Sequence, residues 1–302
     1  MFFSRRTILK TASLSAFSSV IPSFSIAQVD LKSSTIRTVS DGAITLPASL
    51  TFETMPQNKL EPILGEFNLS KNELIRECNV TLFENNSYKV LFDAGAGTDF
   101  LSGMGQLVDN LNAVNIRPED ITDVIFTHSH PDHLWGILDD FEDLTFQNAN
   151  FHIGRKEWEF WTDPDTVNKV REDRITTAIG AKRRLEALGT NINLFENDDK
   201  ILPGIKALIT PGHTPGHMSF EVGDNSKKFL IAGDALNNHH VAFRHPEWMG
   251  GLDQDPKLAA QTRQFLLQKL TSENMGLVGF HLPNGGIGKV EETSEGYEFM
   301  EL

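Results

Sequence analysis

The stretch Thr127-His128-Ser129-His130-Pro131-Asp132-His133 sets three imidazoles and a carboxylate close together, directly behind the apolar run Val124-Ile125-Phe126. Imidazole nitrogen and carboxylate oxygen are the donors that zinc and its borderline neighbours prefer. At the end of a strand, residues two apart point the same way, so His128 and His130 can grip one ion together. Pro131 suits the first position of a helix, and the turn it opens aims Asp132 and His133 at a second position nearby. The chain must therefore fold so that a buried strand delivers this cluster to a place where further donors meet it.

The bulk composition is compatible with such a core. The 302 residues are 39% hydrophobic and 23% charged, as in an ordinary soluble globular protein, with a net charge of −14. The first 27 residues hold Arg5, Arg6 and Lys10 and no acid, so the remainder is more acidic still. A surface of that sign repels nucleic acid and anionic membranes, and neither partner is expected. Residues 1–27 read as a twin-arginine export signal. Ser4-Arg5-Arg6-Thr7-Ile8-Leu9-Lys10 precedes an apolar stretch from Ala12 to Ile21 and the small-residue site Ser25-Ile26-Ala27. That stretch is too short and too serine-rich to span a bilayer, so the expectation is a periplasmic or secreted protein with no membrane anchor after processing. Cys78 is the only cysteine, which excludes an intramolecular disulfide; beside Val80-Thr81-Leu82-Phe83 it reads as a small buried hydrophobe.

No repeat or low-complexity linker interrupts residues 30–302. Strands are expected at Thr35 to Ser40, Asn79 to Glu84 and Tyr88 to Phe92, the last two joined by the hairpin residues Asn85-Asn86-Ser87. Helical periodicity follows from Leu101 to Val114, then the strand Asp123 to Thr127. Glu157 to Phe160 and Asp165 to Leu188 read as helices, the second ending at Gly189. Strands return at Lys206 to Thr210, Met218 to Val222 and Phe229 to Ala232. An amphipathic helix, Asp255 to Leu270, presents Leu258, Thr262, Phe265, Leu266 and Leu270 on one side, and Gly276 to Phe280 is a last strand. Two groups of strands, each with helices, predict two sheets packed face to face and covered by helices.

Each later apolar strand also ends in a donor: Thr210-Pro211-Gly212-His213-Thr214-Pro215-Gly216-His217, then Gly233-Asp234, then Phe280-His281-Leu282-Pro283. With the HxHxDH, GH, GD and final His elements in this order, and Asp93-Ala94-Gly95 as an early D-x-G loop, the chain resembles the metallo-β-lactamase-fold hydrolase superfamily. The resemblance covers essentially everything after the leader. It implies an α/β fold, an αββα four-layer sandwich of two mixed sheets flanked by helices, as one catalytic domain over residues 28–302. It also implies two divalent metal ions, with zinc expected. His128, His130 and His213 would hold the first, Asp132, His133 and His281 the second, and Asp234 would bridge both. Two adjacent dications lower the pKa of a shared water, so a metal-bridging hydroxide is the expected nucleophile, with proton handling by Asp132 secondary. Asp93 and His217 are expected to support the ligands from behind. His152 reads as structural, and His239, His240 and His245 as surface residues.

An Asp rather than a Cys at the bridge groups the chain with glyoxalase II, the homoserine-lactone lactonases and methyl parathion hydrolase. Val39-Ser40-Asp41-Gly42 with Leu46-Pro47, Leu202-Pro203-Gly204-Ile205, and His281-Leu282-Pro283 with Gly286-Ile287-Gly288 look most like the exported methyl parathion hydrolases. That likeness implies hydrolysis of small neutral esters of the aryl ester or phosphotriester type. A homoserine lactonase is the alternative, although Asn237 stands where such lactonases commonly carry Tyr. A mononuclear iron persulfide dioxygenase, from a different class, shares part of the ligand set. Trp135, with Trp158, Phe160, Trp161, Phe243 and Trp248, is expected to supply an aromatic wall to a small-molecule pocket. The resemblance also admits a homodimer.

Overall fold

In the computed structural model, which describes residues 27–224 and 227–302, fourteen strands form two seven-stranded sheets. The leader expected over residues 1–27 lies outside the described residues except for Ala27. No helix among the described residues is long and apolar enough to cross a membrane.

The first sheet runs in chain order through β1 (Gln28–Asp30), β2 (Thr35–Pro47), β3 (Glu73–Glu84), β4 (Lys89–Phe92), β5 (Asp123–Phe126), β6 (Asn150–Gly154) and β7 (Ile192–Phe195). The second holds β8 (Lys200–Leu202), β9 (Ile205–Ile209), β10 (Met218–Gly223), β11 (Lys228–Ile231), β12 (Gly276–Val278), β13 (Ile287–Thr293) and β14 (Gly296–Glu301). Strands β4 to β7 pair in parallel, as do β11 and β12; the remaining pairs are antiparallel.

Period-two alternation decides which core each side chain joins. Val90, Phe92 and Ile125 face the second sheet and meet Phe220, Phe229, Ile231 and Val278. Leu91, Val124 and Phe126 turn the other way, towards the helices over the first sheet. Leu230 and Leu277 do the same on the second sheet, where Leu266 and Leu270 of helix Pro256–Ser272 cover them. Helix, sheet, sheet, helix is the four-layer order expected from the sequence.

Several elements differ from expectation, each for a local reason. The helix expected from Leu101 spans only Leu107–Ala113, because Gly103 and Gly105 take left-handed conformations ahead of it. The long helix expected from Asp165 is broken. Thr166–Lys169 ends at an extended Val170, a short turn covers Glu172–Arg174, and Ile175–Ala187 forms the true helix. Phe265 is 50% exposed, and the buried face of its helix is made by Ala259, Thr262, Arg263, Leu266 and Leu270. His240 is buried rather than at the surface. Strand β2 continues past Ser40 through a bulge at Gly42, where a Cβ would sit 1.9 Å from the Gly103 carbonyl oxygen.

Next to that bulge, Asp41 is fully buried and accepts from the backbone N–H groups of Leu107 (2.9 Å) and Ala96 (2.8 Å). Burial pushes its carboxyl up to about 6 despite those donors. An acid whose folded pKa is raised stabilises the fold relative to its ionised state only at low pH. The contribution is complete below about pH 4 and lost as pH rises towards 6. Relative to Asp41→Asn, the native chain is therefore expected to lose roughly 3 kcal/mol across that window. Urea unfolding of both proteins at several pH values checks this, and a pH-independent difference would refute it.

Candidate metal centre

Strand β5 hands its backbone directly to the histidine cluster. Thr127 donates its N–H (2.7 Å) and hydroxyl (2.8 Å) to Asp93, which tolerates the left-handed φ of 71° that the loop after β4 requires. His130 is extended (φ −69°, ψ 160°), and Pro131 then starts the turn Pro131–Leu134, which carries Asp132 and His133. His213 comes from the loop between β9 and β10, Asp234 from the turn Gly233–Leu236 after β11, and His281 from just beyond β12. The structure thus brings together all seven residues expected as donors, and all are buried.

Their inward atoms form two groups. In one, His130 Nδ1 lies 3.0 Å from His128 Nε2 and 2.9 Å from His213 Nε2, and the last is 3.3 Å from Asp234 Oδ2. In the other, Asp132 Oδ2 is 3.5 Å from His133 Nε2 and 3.2 Å from His281 Nε2. Asp234 Oδ1 is 3.2 Å and 3.5 Å from the same two nitrogens. A tetrahedral zinc ion with bonds of 2.0–2.1 Å separates its ligands by about 3.3 Å. Asp234 turns one oxygen to each group.

The outer ring atoms fix the tautomers that leave the inward nitrogens as lone pairs. His133 Nδ1 donates to Asp93 (2.8 Å), His213 Nδ1 to Asp253 (2.9 Å) and His281 Nδ1 to the Glu77 carbonyl (2.8 Å). Burial, then the neighbouring imidazoles, push His128 well below the ordinary range, so it is neutral. At His133 burial acts downwards, but the carboxylates of Asp132, Asp93 and Asp234 outweigh it and raise the group well above its usual value. These buried carboxylates call for positive charge at this point. Moreover, His133 Nε2, His281 Nε2 and Asp234 Oδ1 are buried with no hydrogen-bond partner. Orphaned acceptors of this kind, at ligand spacing, fit a pair of divalent cations.

His217 stands behind the donors: its Nε2 accepts from the Asp234 N–H (3.0 Å) and its Nδ1 faces Thr210 Oγ1 (2.8 Å). His152 pairs with Asp123 at 2.9 Å, away from the cluster. Cys78 is buried as expected, but not among hydrophobes alone. Its Sγ is 3.8 Å from His281 Nδ1 and lies in one group with Asp132 and His281. Burial pushes this thiol up, so it is not a thiolate.

A cavity of about 210 Å³ opens onto His130, Asp132, His213 and Asp234, with Ile44, Leu46, Leu50 and Phe100 in its wall. None of the six rings expected as the aromatic wall lines it; Phe160 packs edge-on against Trp161, ring centres 5.1 Å apart. Trp161 is fully buried and donates to Glu157 (2.6 Å). Trp135 carries the Arg184 guanidinium 4.1 Å above its ring, and Trp158 packs in the same cluster. Phe243 belongs to the core beneath the second sheet, and Trp248 stacks on His245 at 4.0 Å. Packing claimed these rings, and the apolar part of the cavity wall is aliphatic apart from Phe100.

Sequence reasoning missed Glu157 and Asp253. Glu157 is fully buried and accepts from Ser129 N (2.9 Å), Trp161 Nε1, Thr214 Oγ1 (2.8 Å) and Gly216 N (3.1 Å). It ties the first histidine loop to the loop of His213. A glutamate set among charged and aromatic residues of a short helix gave no signal of this.

The metallo-beta-lactamase superfamily model matches residues 75–274, more than half of the chain, and the chain belongs to that superfamily. Among curated relatives, an N-acyl homoserine lactonase of Bacillus cereus is 28% identical over 146 residues, 48% of this chain and 50% of that protein. The N-acyl homoserine lactonase AttM of Agrobacterium fabrum is 31% identical over 135 residues, 42% and 46% of the two chains. The matches span about half the length of these relatives. AidC, a dizinc quorum-quenching lactonase solved with a product, superposes with a TM-score of 0.86 over 92% of this chain and 97% of its own, at 22% identity. The hydrolase AbOPH superposes at 0.84 over 92% and 97%, at 26% identity. These relatives do not support the expected methyl parathion hydrolase subgroup; those with a named substrate are lactonases.

Proposed function

We propose that this chain is a metal-dependent hydrolase that opens the ring of N-acyl homoserine lactones. The observation that carries the reading is the convergence of seven buried donors in two groups joined by the two oxygens of Asp234. The curated relatives direct the choice of substrate. His128, His130 and His213 would hold one ion, Asp132, His133 and His281 another, and Asp234 would belong to both. Bound there, zinc would supply Lewis acidity to the ester carbonyl and activate water. The chain's own part is to orient and enclose. Asp93, Asp253 and the Glu77 carbonyl hold three imidazoles in register. Ile44, Leu46 and Leu50 would offer an apolar surface to an acyl chain, and Asp132, which lines the same cavity, would take a proton.

Aryl ester or phosphotriester cleavage is the second reading, favoured by Asn237. That residue replaces the tyrosine common in lactonases, is buried, and is not part of the cavity wall. A panel on protein of measured metal content separates the two. The expected result is N-hexanoyl homoserine lactone turned over at least about tenfold faster, in kcat/KM, than a linear aryl ester or a phosphotriester. Faster aryl ester or phosphotriester cleavage would transfer the assignment to the second reading. No hydrolysis of any member, with iron near one atom per chain and thiol-dependent oxygen uptake, would replace both by a dioxygenase.

A further inference from the structure

The broken helix places Arg171, Asp173 and Arg174 on the wall of the cavity, which Arg76 of β3 also lines. The charges there do not cancel. Arg171 makes a two-pronged pair with Asp173, through Nε (3.0 Å) and Nη2 (2.6 Å). Asp132 and Asp234 belong to the donor groups. Arg76 has no carboxylate within ion-pair distance among the described residues, and its buried Nε has no hydrogen-bond acceptor. Arg174 is half committed. Its Nη2 donates to the Leu252 carbonyl at 2.7 Å, which fixes the side chain. Its Nη1 lies 3.2 Å from His130 Nε2. A guanidinium carries five N–H donors, and these two contacts use two at most, so Arg174 keeps donors for a ligand.

Two guanidinium groups with donors to spare, on the wall of a small cavity in an otherwise acidic protein, suit a planar anion. Arg is the residue that matches carboxylate geometry, and charge-assisted bonds of this kind are about twice as strong as neutral ones. We propose that Arg76 and Arg174 bind the carboxylate end of the hydrolysis product, and the charge that gathers on the same oxygens as it forms. The assignment rests on the lactonase reading for the identity of the acyl group. In the reaction, water adds to the acyl carbon and the bond from that carbon to the ring oxygen breaks. The ring oxygen leaves with a proton as a hydroxyl, and the acyl carbon keeps a carboxylate whose proton passes to solvent. The charge thus appears on the acyl oxygens, and two guanidinium groups line the same cavity as the donor groups. Arg174 and Arg76 would occupy the role for which Asn237 is misplaced, and the aliphatic residues beside them would take the hydrocarbon end.

The test is calorimetric and uses metal-loaded protein of measured stoichiometry. N-hexanoyl-L-homoserine and its uncharged primary amide are titrated into the native chain, Arg76→Gln, Arg174→Gln and Arg174→Lys. The native chain is expected to prefer the carboxylate by at least about tenfold. Each Gln variant is expected to lose about that factor for the carboxylate while holding the amide within about twofold, with unchanged metal content, and the Lys variant to fall between. Carboxylate affinity within about twofold of native in both Gln variants would overturn the proposal. Hexanoate, titrated in parallel, separates it from the reading on which it rests. Arginine-dependent hexanoate binding in a chain that opens no lactone would remove the lactonase reading and support the guanidinium pair. Lactone opening with binding indifferent to both arginines would do the reverse.

Discussion

Replacing Asp234 by Ala is expected to reduce metal content from about two ions per chain to one or fewer and to lower hydrolytic turnover by more than about a hundredfold. Changes to groups that merely orient a ligand already cost 10–100-fold in metal affinity or activity, and Asp234 faces the donors directly. Its Oδ1 is 3.2 Å from His133 Nε2 and its Oδ2 is 3.3 Å from His213 Nε2, so one truncation takes an oxygen from each group. Three protein donors remain on each side, but nothing then joins them. Asn keeps one acceptor oxygen and offers hydrogens to the other group, so Asp234→Asn is expected to spare one ion better than Ala does. Elemental analysis with turnover on the same samples measures both effects. Two ions per chain and near-native turnover in the Ala variant would end the assignment.

Removing Glu157 is expected to produce the largest loss of stability, about 4 kcal/mol for Glu157→Ala. Burial raises its carboxyl, although four donors hold it down. Truncation strands those donors in a region without solvent. They belong to the backbone of Ser129, between two histidines, to Trp161, and to Thr214 and Gly216 beside His213. The damage therefore extends to the group of His128, His130 and His213, which is expected to lose affinity for its ion while the group around His281 keeps its own. Glu157→Gln preserves the shape but turns a donor towards a donor, and an intermediate loss follows. Urea unfolding of metal-free protein isolates the structural part, and a change below about 1 kcal/mol would show that Glu157 is dispensable.

The donor set was legible in the sequence because its residues are scarce types at strand ends, and strand ends follow from apolar runs. Both sheets and their alternation were legible for the same reason. What surrounds the donors was not. Glu157 and Asp253 are acidic residues in segments that look solvated, and only the tertiary approach of the His130 and His213 loops reveals their burial. The rings of Trp135, Trp161 and Phe243 could not be assigned to pocket or core from sequence, since both environments favour them. The helix expected from Asp165 to Leu188 failed at Val170, where an extended residue packed against the core over the first sheet interrupts it. Strands β7, β13 and β14 also escaped notice, being short or part-exposed and weakly patterned. Motif likeness at Val39 to Gly42 suggested methyl parathion hydrolase. In the structure Asp41 there is a buried anchor for the loops at Ala96 and Leu107, which reports on framework more than on substrate.

The two donor groups draw on both halves of the chain, with positions 128–133 from the first sheet and His213, Asp234 and His281 from the second. Ions held there would act as a clasp between segments about 80 to 150 residues apart, and closing the longer loop costs little more than closing one half its length. Because the unfolded chain has no such site, ion affinity and the seating of one sheet on the other are linked quantities. The contact between Phe92 and Phe220 across the sheets, ring centres 5.1 Å apart, is thus coupled to metal retention without touching a ligand. In this chain the grip on the ions is a property of the whole sandwich, exerted at one edge.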